Sequence, residues 1–314
     1  MKELFWEKEE DLNKIDWIKK YNQTCEKWIN ETPDRISLLY SYFEINEHKL
    51  FVEEICRKIG VELSGTGLEI GCGPGILSNS VLKIYKNIDL IYLLEKVPKT
   101  YLLKKKIADY NKTSFKLISV IGDFNYLKLP NNSLDFVLDF DSIHHSENFE
   151  LTFKEISRVL KPGGKLLCFD RGQPDSISKK QIEYLLNIEY SKSYKIENGI
   201  NPNKKFTRRM NGEKEPYLKD WKMVGKKYNL NCEVYIFHRK SLKNFVRSAY
   251  GLLIPFAIKR LIQKGLNITT HYQLILNYFF INNIGGIKVF NLEYTAKSKK
   301  SPTGKMIFLY TKGY

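Results

Sequence analysis

The chain is short of cysteine, short of arginine and without any long apolar run, and each shortage removes a class of protein. Its five cysteines (Cys25, Cys56, Cys72, Cys168 and Cys232) are too few and too scattered along 314 residues for a disulfide framework, and none form a CxxC zinc pair. No stretch of about 18 apolar residues occurs, so nothing reads as a membrane span. The opening MKELFWEKEEDL carries acids and lacks the apolar segment of a signal peptide. These absences lead us to expect a reduced, cytoplasmic protein with free thiols.

Acidic residues are also scarce, but only in one half. Residues 1–170 carry 24 basic and 26 acidic side chains, whereas residues 171–314 carry 27 and 9. The net charge of +16 therefore belongs to the second half. Of the 51 basic residues 42 are lysine, so a general lysine bias accounts for the total but not for the neutral first half. Two readings stand: the basic half meets an anionic partner, or it is solvated lysine surface.

At this length the chain is two domains, or one large domain with additions. Residues 1–60 read as a helical N-terminal cap. Trp6, Trp17 and Trp28 recur every 11 residues, which returns to nearly the same helix face, and the stripe is expected to pack on the domain behind it. Tyr21 is a candidate for a pocket wall. Thr32-Pro33-Asp34 reads as a helix start, and a third helix is expected from Asn46 to Lys58 with Gly60 as its stop.

From Thr66 the pattern becomes alternating strands and helices. Strands are expected at 68–70, 90–94, 115–121, 134–140 and 165–169, with a helix over 76–85. This predicts an α/β, doubly wound, Rossmann-like parallel sheet over a core of residues 61–170, with ligands at the carboxyl ends of its strands. Residues 171–218 form a polar, basic lid or insertion with a helix near 178–190. Residues 219–314 then complete the sheet through a helix (219–228), a strand (232–237), a helical insertion (241–285) and a final strand, KMIFLY, at 305–310.

Three strand ends carry polar chemistry. Gly71-Cys72-Gly73-Pro74-Gly75 follows the first strand and opens a helix, where glycines admit close backbone approach and free N–H groups face a ligand. Ile76 occupies the place of the last glycine of the dinucleotide fingerprint, so GxGxxG is incomplete. Glu95 ends the second strand, where a carboxylate can accept ribose hydroxyls. Asp123 ends the third, with Phe124 beside it.

On LEIGCGPG (68–75), Glu95, GDFNYLKLPNNSLDFV (122–137), FDSIHH (140–145) and RVLKPGGKLL (158–167), the chain resembles class I S-adenosylmethionine-dependent methyltransferases of the small-molecule type. The resemblance covers residues 63–170. It implies a seven-stranded sheet with an antiparallel last strand, and S-adenosylmethionine as cofactor. It also implies that Glu69 and Gly71, Cys72, Gly73 and Gly75 hold the methionine moiety, Glu95 the ribose, and Asp123 with Phe124 the adenine. Phe140 is grouped with these cofactor residues. The LKPGG turn is structural in the family, so Arg158 and Lys161 are not site candidates.

For catalysis the candidates are His145, then His144, with Asp141. A hydroxyl acceptor must lose its proton, and histidine titrates near working pH. The Asp141–His145 spacing is similar to that of phosphobase methyltransferases, where the acid contacts an acceptor amine. Asp139, Asp141 and Asp170 cluster at strand ends, but Arg171 follows Asp170 and no metal is expected. The chain lacks the Pro-Pro motif of base N-methylation after strand four. Lys204-Lys205-Phe206-Thr207-Arg208-Arg209 could hold a phosphate backbone.

The expected reaction is O-methylation of an anionic small molecule or surface-glycan precursor. The alternatives are a phosphobase or other small amine, an RNA, and a catalytically silent binding subunit. Residues 241–264 fit an amphipathic helix against the inner membrane face, a cap on the core or a homodimer contact.

Overall fold

The first third of the chain forms β1 (Lys2–Phe5), α1 (Glu9–Leu12), α2 (Asp16–Glu31), α3 (Asp34–Ile59), β2 (Gly65–Ile70), α4 (Ile76–Ile84), β3 (Ile88–Glu95) and α5 (Thr100–Tyr110). Then come β4 (Leu117–Ile121), β5 (Leu134–Phe140), α6 (Phe149–Val159), β6 (Leu160–Arg171), α7 (Lys179–Leu186) and α8 (Lys192–Glu197). The last elements are α9 (Leu218–Lys227), β7 (Leu230–Arg239), β8 (Ile287–Asn291) and β9 (Lys305–Lys312). This is a computed structural model, and it describes residues 1–31, 34–198, 200–239, 287–291 and 305–314.

The strands form one sheet in the order β1-β4-β3-β2-β5-β6-β9-β7-β8. Strands β1 to β6 pair in parallel, while β9 runs antiparallel between β6 and β7. The expected seven strands are therefore present with their antiparallel member. The sheet has nine because β1 and β8 extend its two edges. The order reverses between β2 and β5, which opens a crevice at their carboxyl ends.

Alternation along the strands sends side chains to two cores. Leu166 and Cys168 of β6 join Phe153, Trp221 and Phe308 on one face, and Leu167 and Phe169 join Phe51, Ile55 and Val81 on the other. Trp221 of α9 stacks on Phe308 of β9 at 4.3 Å between ring centroids, and its indole N–H donates to the Arg171 carbonyl (3.2 Å). The last strand and α9 are thereby locked beside β6, and the start of the segment after β6 is fixed.

Several expectations are corrected. Residues 2–5 are a strand, not helix, because the Trp6 N–H and the β1 backbone find partners on β4. The tryptophan stripe does not exist as drawn: Trp6 is buried beside Gly122, whereas Trp17 on α2 is 46% exposed. Strand β4 starts at Leu117, because Ser114–Lys116 turn as 3-10 helix. The third expected helix is the end of one long helix, α3. The insertion after β6 carries α7, started by a Ser178–Gln181 capping box, and α8. Thr32, Pro33 and residues 241–285 lie outside the described residues.

Candidate active site

The donor end is built on the loop after β2. Gly71 (φ +59°) and Gly73 (φ +48°) take left-handed backbone that side chains disfavour. A Cβ on Gly71 would lie 2.4 Å from the Ser142 side chain, so this glycine lets the β2 and β5 ends close together. A Cβ on Gly73 would meet nothing within 4 Å, so its backbone faces open space of the kind a ligand approaches. Gly75 opens α4, and Cys72 is buried beneath the loop. Glu69 stands behind it. Its Oε2 accepts the Ser78 N–H (2.9 Å) and the Ser78 hydroxyl, and burial lifts its carboxyl to about 7. Glu69 thus braces the loop from the α4 side.

Glu95 at the end of β3 is tied to the same loop. Its Oε2 accepts the Gly73 N–H (3.0 Å), and its Oε1 accepts the N–H groups of Lys96 (2.8 Å) and Val97 (3.2 Å). A carboxylate offers about four acceptor sites, so Oε2 keeps capacity for a ligand hydroxyl. At the end of β4, Asp123 pairs with Lys96 Nζ at 2.7 Å and accepts from Asn125 through its N–H (2.8 Å) and Nδ2 (2.9 Å). Phe124 is half-buried against the core. Phe140 packs between His48 and Phe169 at centroid distances of 5.0 and 5.8 Å. The sequence reading missed Lys96, which nothing but its place after Glu95 could have flagged.

The segment after β5 separates the two histidines. His144 is buried, with Nδ1 2.6 Å from Asp170 Oδ1 and Nε2 3.2 Å from Glu213 Oε2. Both ring nitrogens face carboxylates and must donate, so the ring is doubly protonated. Burial alone would lower its pKa, but Asp170 and Glu213 raise it to about 9. A ring with no free lone pair cannot act as a base, and this corrects the expectation for His144. His145 is accessible to solvent, and its Nδ1 donates to the Gly212 carbonyl (3.2 Å). Partial desolvation by the packed segments around it, and then the charge of His144, lower its pKa. A neutral ring with Nδ1–H leaves Nε2 as its acceptor.

Residues 171–216 fold over this edge and enclose an open cleft of about 860 Å³. Asp141, Tyr184, Tyr190 and Tyr194 line it, and Tyr190 stacks on Tyr194 at 4.1 Å. Asp141 holds a left-handed φ of +63°, a costly conformation for a residue with a side chain. Its carboxylate accepts from Arg171 at 3.2 Å. Glu213 is the hub, reached by His144, Arg171 and the Tyr190 hydroxyl (2.7 Å). Burial would raise its pKa, but these partners hold the carboxyl well below the usual range. Glu215 is bound by Arg208 and by Gln173 Nε2 (2.7 Å). Glu213 and Glu215 went unnoticed in the sequence, although two acids within a basic stretch were a visible signal.

Helix α2 reaches the segment after β6, where Lys20 Nζ lies 5.7 Å from the centroid of the Phe206 ring. Burial, then the charges of Tyr194 and Glu95, push the Tyr21 phenol up to about 12. The basic motif is partly committed: Arg208 pairs with Glu215 and Arg209 with Glu183 (2.6 Å), while Lys204 and Lys205 are exposed. Arg158 and Lys161 bind Glu155 and Asp135, away from the site.

Among the described residues, three groups could approach a metal: His144–His145–Glu213, Asp139–Cys168–Asp170 and Asp141–His144–Asp170. Their carboxylates are largely engaged by hydrogen-bond donors. Asp139 Oδ1 accepts from Ser142 and Ile143, and Asp170 accepts from His144 and Arg171. None of the described helices is long and apolar enough to cross a membrane.

Residues 68–168 match the family model of a methyltransferase domain. The chain is 31% identical over 132 residues to the sterol 24-C-methyltransferase of Aspergillus fumigatus, covering 41% of this chain and 34% of that protein. It is 26% identical over 146 residues to the demethylmenaquinone methyltransferase of Bacillus licheniformis, covering 46% and 61%. The chain therefore spans between a third and two thirds of these relatives. The fold matches that of a Galdieria sulphuraria protein thought to be a sarcosine dimethylglycine methyltransferase, with a TM-score of 0.52, 17% identity and 85% of each chain covered. It also matches the YcgJ protein of Bacillus subtilis, with a TM-score of 0.50, 13% identity, and 85% and 99% of the two chains covered.

Proposed function

We propose that the class I methyltransferase domain carried by residues 68–168 moves the methyl group of S-adenosylmethionine to a hydroxyl oxygen of a small molecule seated in the cleft under residues 171–216. The observation that supports the donor is the row of groups at the carboxyl edge of three adjacent parallel strands: the Gly73 backbone, Glu95 and Asp123. The Gly71–Gly75 loop would hold the amino-acid end, Glu95 Oε2 the ribose, and Asp123 with Phe124 the base. The donor supplies an already activated methyl carbon, so the chain's part is to position the acceptor and exclude water. Tyr184, Tyr190 and Tyr194 would form the aromatic wall against which the acceptor sits. His145 is the group that takes the hydroxyl proton, at Nε2, because the Gly212 carbonyl fixes the tautomer.

One observation favours an amine acceptor instead. The cleft sets three carboxylates, Asp141, Glu213 and Glu215, against two arginines, Arg171 and Arg208, and adds a tyrosine wall. Carboxylates and aromatic faces both attract cations. The anionic acceptor expected from the basic half finds these arginines already paired, which leaves the exposed lysines to recruit it. A pair of acceptors sharing one skeleton, one bearing a hydroxyl and one an amine, decides between oxygen and nitrogen when assayed with methyl-labelled donor. Calorimetry with S-adenosylhomocysteine, with NAD as control, tests the donor. NAD binding in its place would overturn the reading.

A further inference from the structure

The donor row does not stop at Asp123. Strand β1 lies parallel to β4 on its outer side, with Phe5 opposite Ile121, and the Trp6 N–H donates to the Ile121 carbonyl at 2.8 Å. Two residues past each of these partners stand Glu7 and Asp123, and the Glu7 N–H also donates to the Ile121 carbonyl at 3.4 Å. Trp6 packs against Gly122 between them: a Cβ on that glycine would lie 2.9 Å from the Trp6 Cβ. Gly73, Glu95, Asp123 and Glu7 thus follow or end β2, β3, β4 and β1, which are neighbours in that order in the sheet.

Glu7 differs from the other carboxylates of the row. Its Oε2 is buried and has no hydrogen-bond partner, alone in this among the described residues. Leaving such an acceptor unmatched carries its full desolvation penalty. Asp123, by contrast, already serves Lys96 and Asn125 with its two oxygens. Glu7 and Lys96 line a cavity of about 330 Å³ together with Lys8, Asp11, Leu12 and Ile15. Two apolar side chains among charges of both signs, with an unmatched oxygen on Glu7, suit a flat heterocycle that carries an exocyclic N–H. Glu7 stands two strand spacings out from Glu95, about 10 Å, comparable to the long dimension of a nucleoside whose ribose Glu95 would hold.

We propose that Glu7 accepts a hydrogen bond from the exocyclic amino group of the donor's adenine, so that the N-terminal strand completes the cofactor site. This rests on the donor reading above. It makes β1 a specificity element: the amino group of adenine satisfies Oε2, whereas a 6-oxo base would turn an acceptor toward it.

Calorimetry with S-adenosylhomocysteine and with S-inosylhomocysteine, in which oxygen replaces that amino group, tests the proposal. Glu7→Ala should weaken S-adenosylhomocysteine about tenfold and leave the inosyl analogue unchanged. Glu7→Gln, which keeps an acceptor oxygen, should recover most of the loss. The melting temperature of ligand-free Glu7→Ala should not fall, because the free protein gains nothing from the orphan oxygen. Equal weakening of both ligands, or a lower melting temperature, would make Glu7 a structural residue of the β1 edge. Unchanged binding of both would take Glu7 out of the site. If the unaltered protein fails to bind S-adenosylhomocysteine, the donor reading falls first and this proposal with it.

Discussion

His144 donates through Nδ1 to Asp170 across 2.6 Å, with neither side chain reaching solvent. The pair joins the turn after β5 to the end of β6, and Glu213 on the other ring nitrogen ties both to the folded-over segment. The His144 imidazolium is thus a clamp that shapes the cleft, next to the exposed His145 that we propose as the base.

The clamp predicts a pH-dependent stability. The folded pKa of His144 is raised to about 9 from 6.5, so its contribution is complete below pH 6.5 and fades as the pH rises through 9. The advantage of the wild type over His144→Gln should shrink by on the order of 3 kcal/mol across that window. Denaturant melts at the two ends of the window measure it. A constant difference would show that the ring is not charged in the fold.

His145 should give the opposite pattern, in rate and not in stability. Its pKa lies below the ordinary value, so a hydroxyl acceptor should be methylated at a plateau rate near neutrality and above. The rate should fall only on the acid side, where Nε2 becomes protonated. His145→Ala should lower turnover by roughly 10²–10⁴-fold with little change in S-adenosylhomocysteine affinity. Retained turnover in that variant would remove the base.

Glu95→Ala should weaken S-adenosylhomocysteine by roughly 1–3 kcal/mol in calorimetry, since it removes a ribose acceptor and frees the Gly73 N–H. Equal affinity in the variant would place the ribose elsewhere.

Activity should persist in excess EDTA. The Asp139 and Asp170 oxygens accept from backbone N–H groups, His144 and Cys168, and burial, reinforced by Asp170, holds the Asp139 carboxyl well above its usual range. Loss of activity that magnesium restores would make these carboxylates ligands after all.

Neutralising Lys204 and Lys205 should raise the KM of an anionic acceptor and flatten its salt dependence, without touching the cleft. Arg208→Gln should act differently. It removes one of the partners of Glu215 inside the cleft, and a lower melting temperature should accompany its kinetic effect.

What the sequence determined by itself was the part in which neighbours along the chain are also neighbours in space. The strand at 134–140, the GCGPG loop opening α4, and Glu95 and Asp123 at strand ends follow from local alternation, turn chemistry and burial. These act within one strand–loop–helix unit. KMIFLY was legible as a strand for the same reason. The tryptophan spacing misled because periodicity carries meaning only inside one element, and Trp6 lies in the chain just after a strand whereas Trp17 lies on a helix.

Tertiary structure alone decided the rest. Lys2–Phe5 is too short and too polar to announce a strand, and it becomes one because β4 offers it an edge. Lys96 meets Asp123 across 27 positions, and His144 meets Glu213 across 69. Which of the two histidines is clamped depends on carboxylates brought from distant segments. A pKa follows from the charges and burial around a group in space, and the chain sets those only once it has folded.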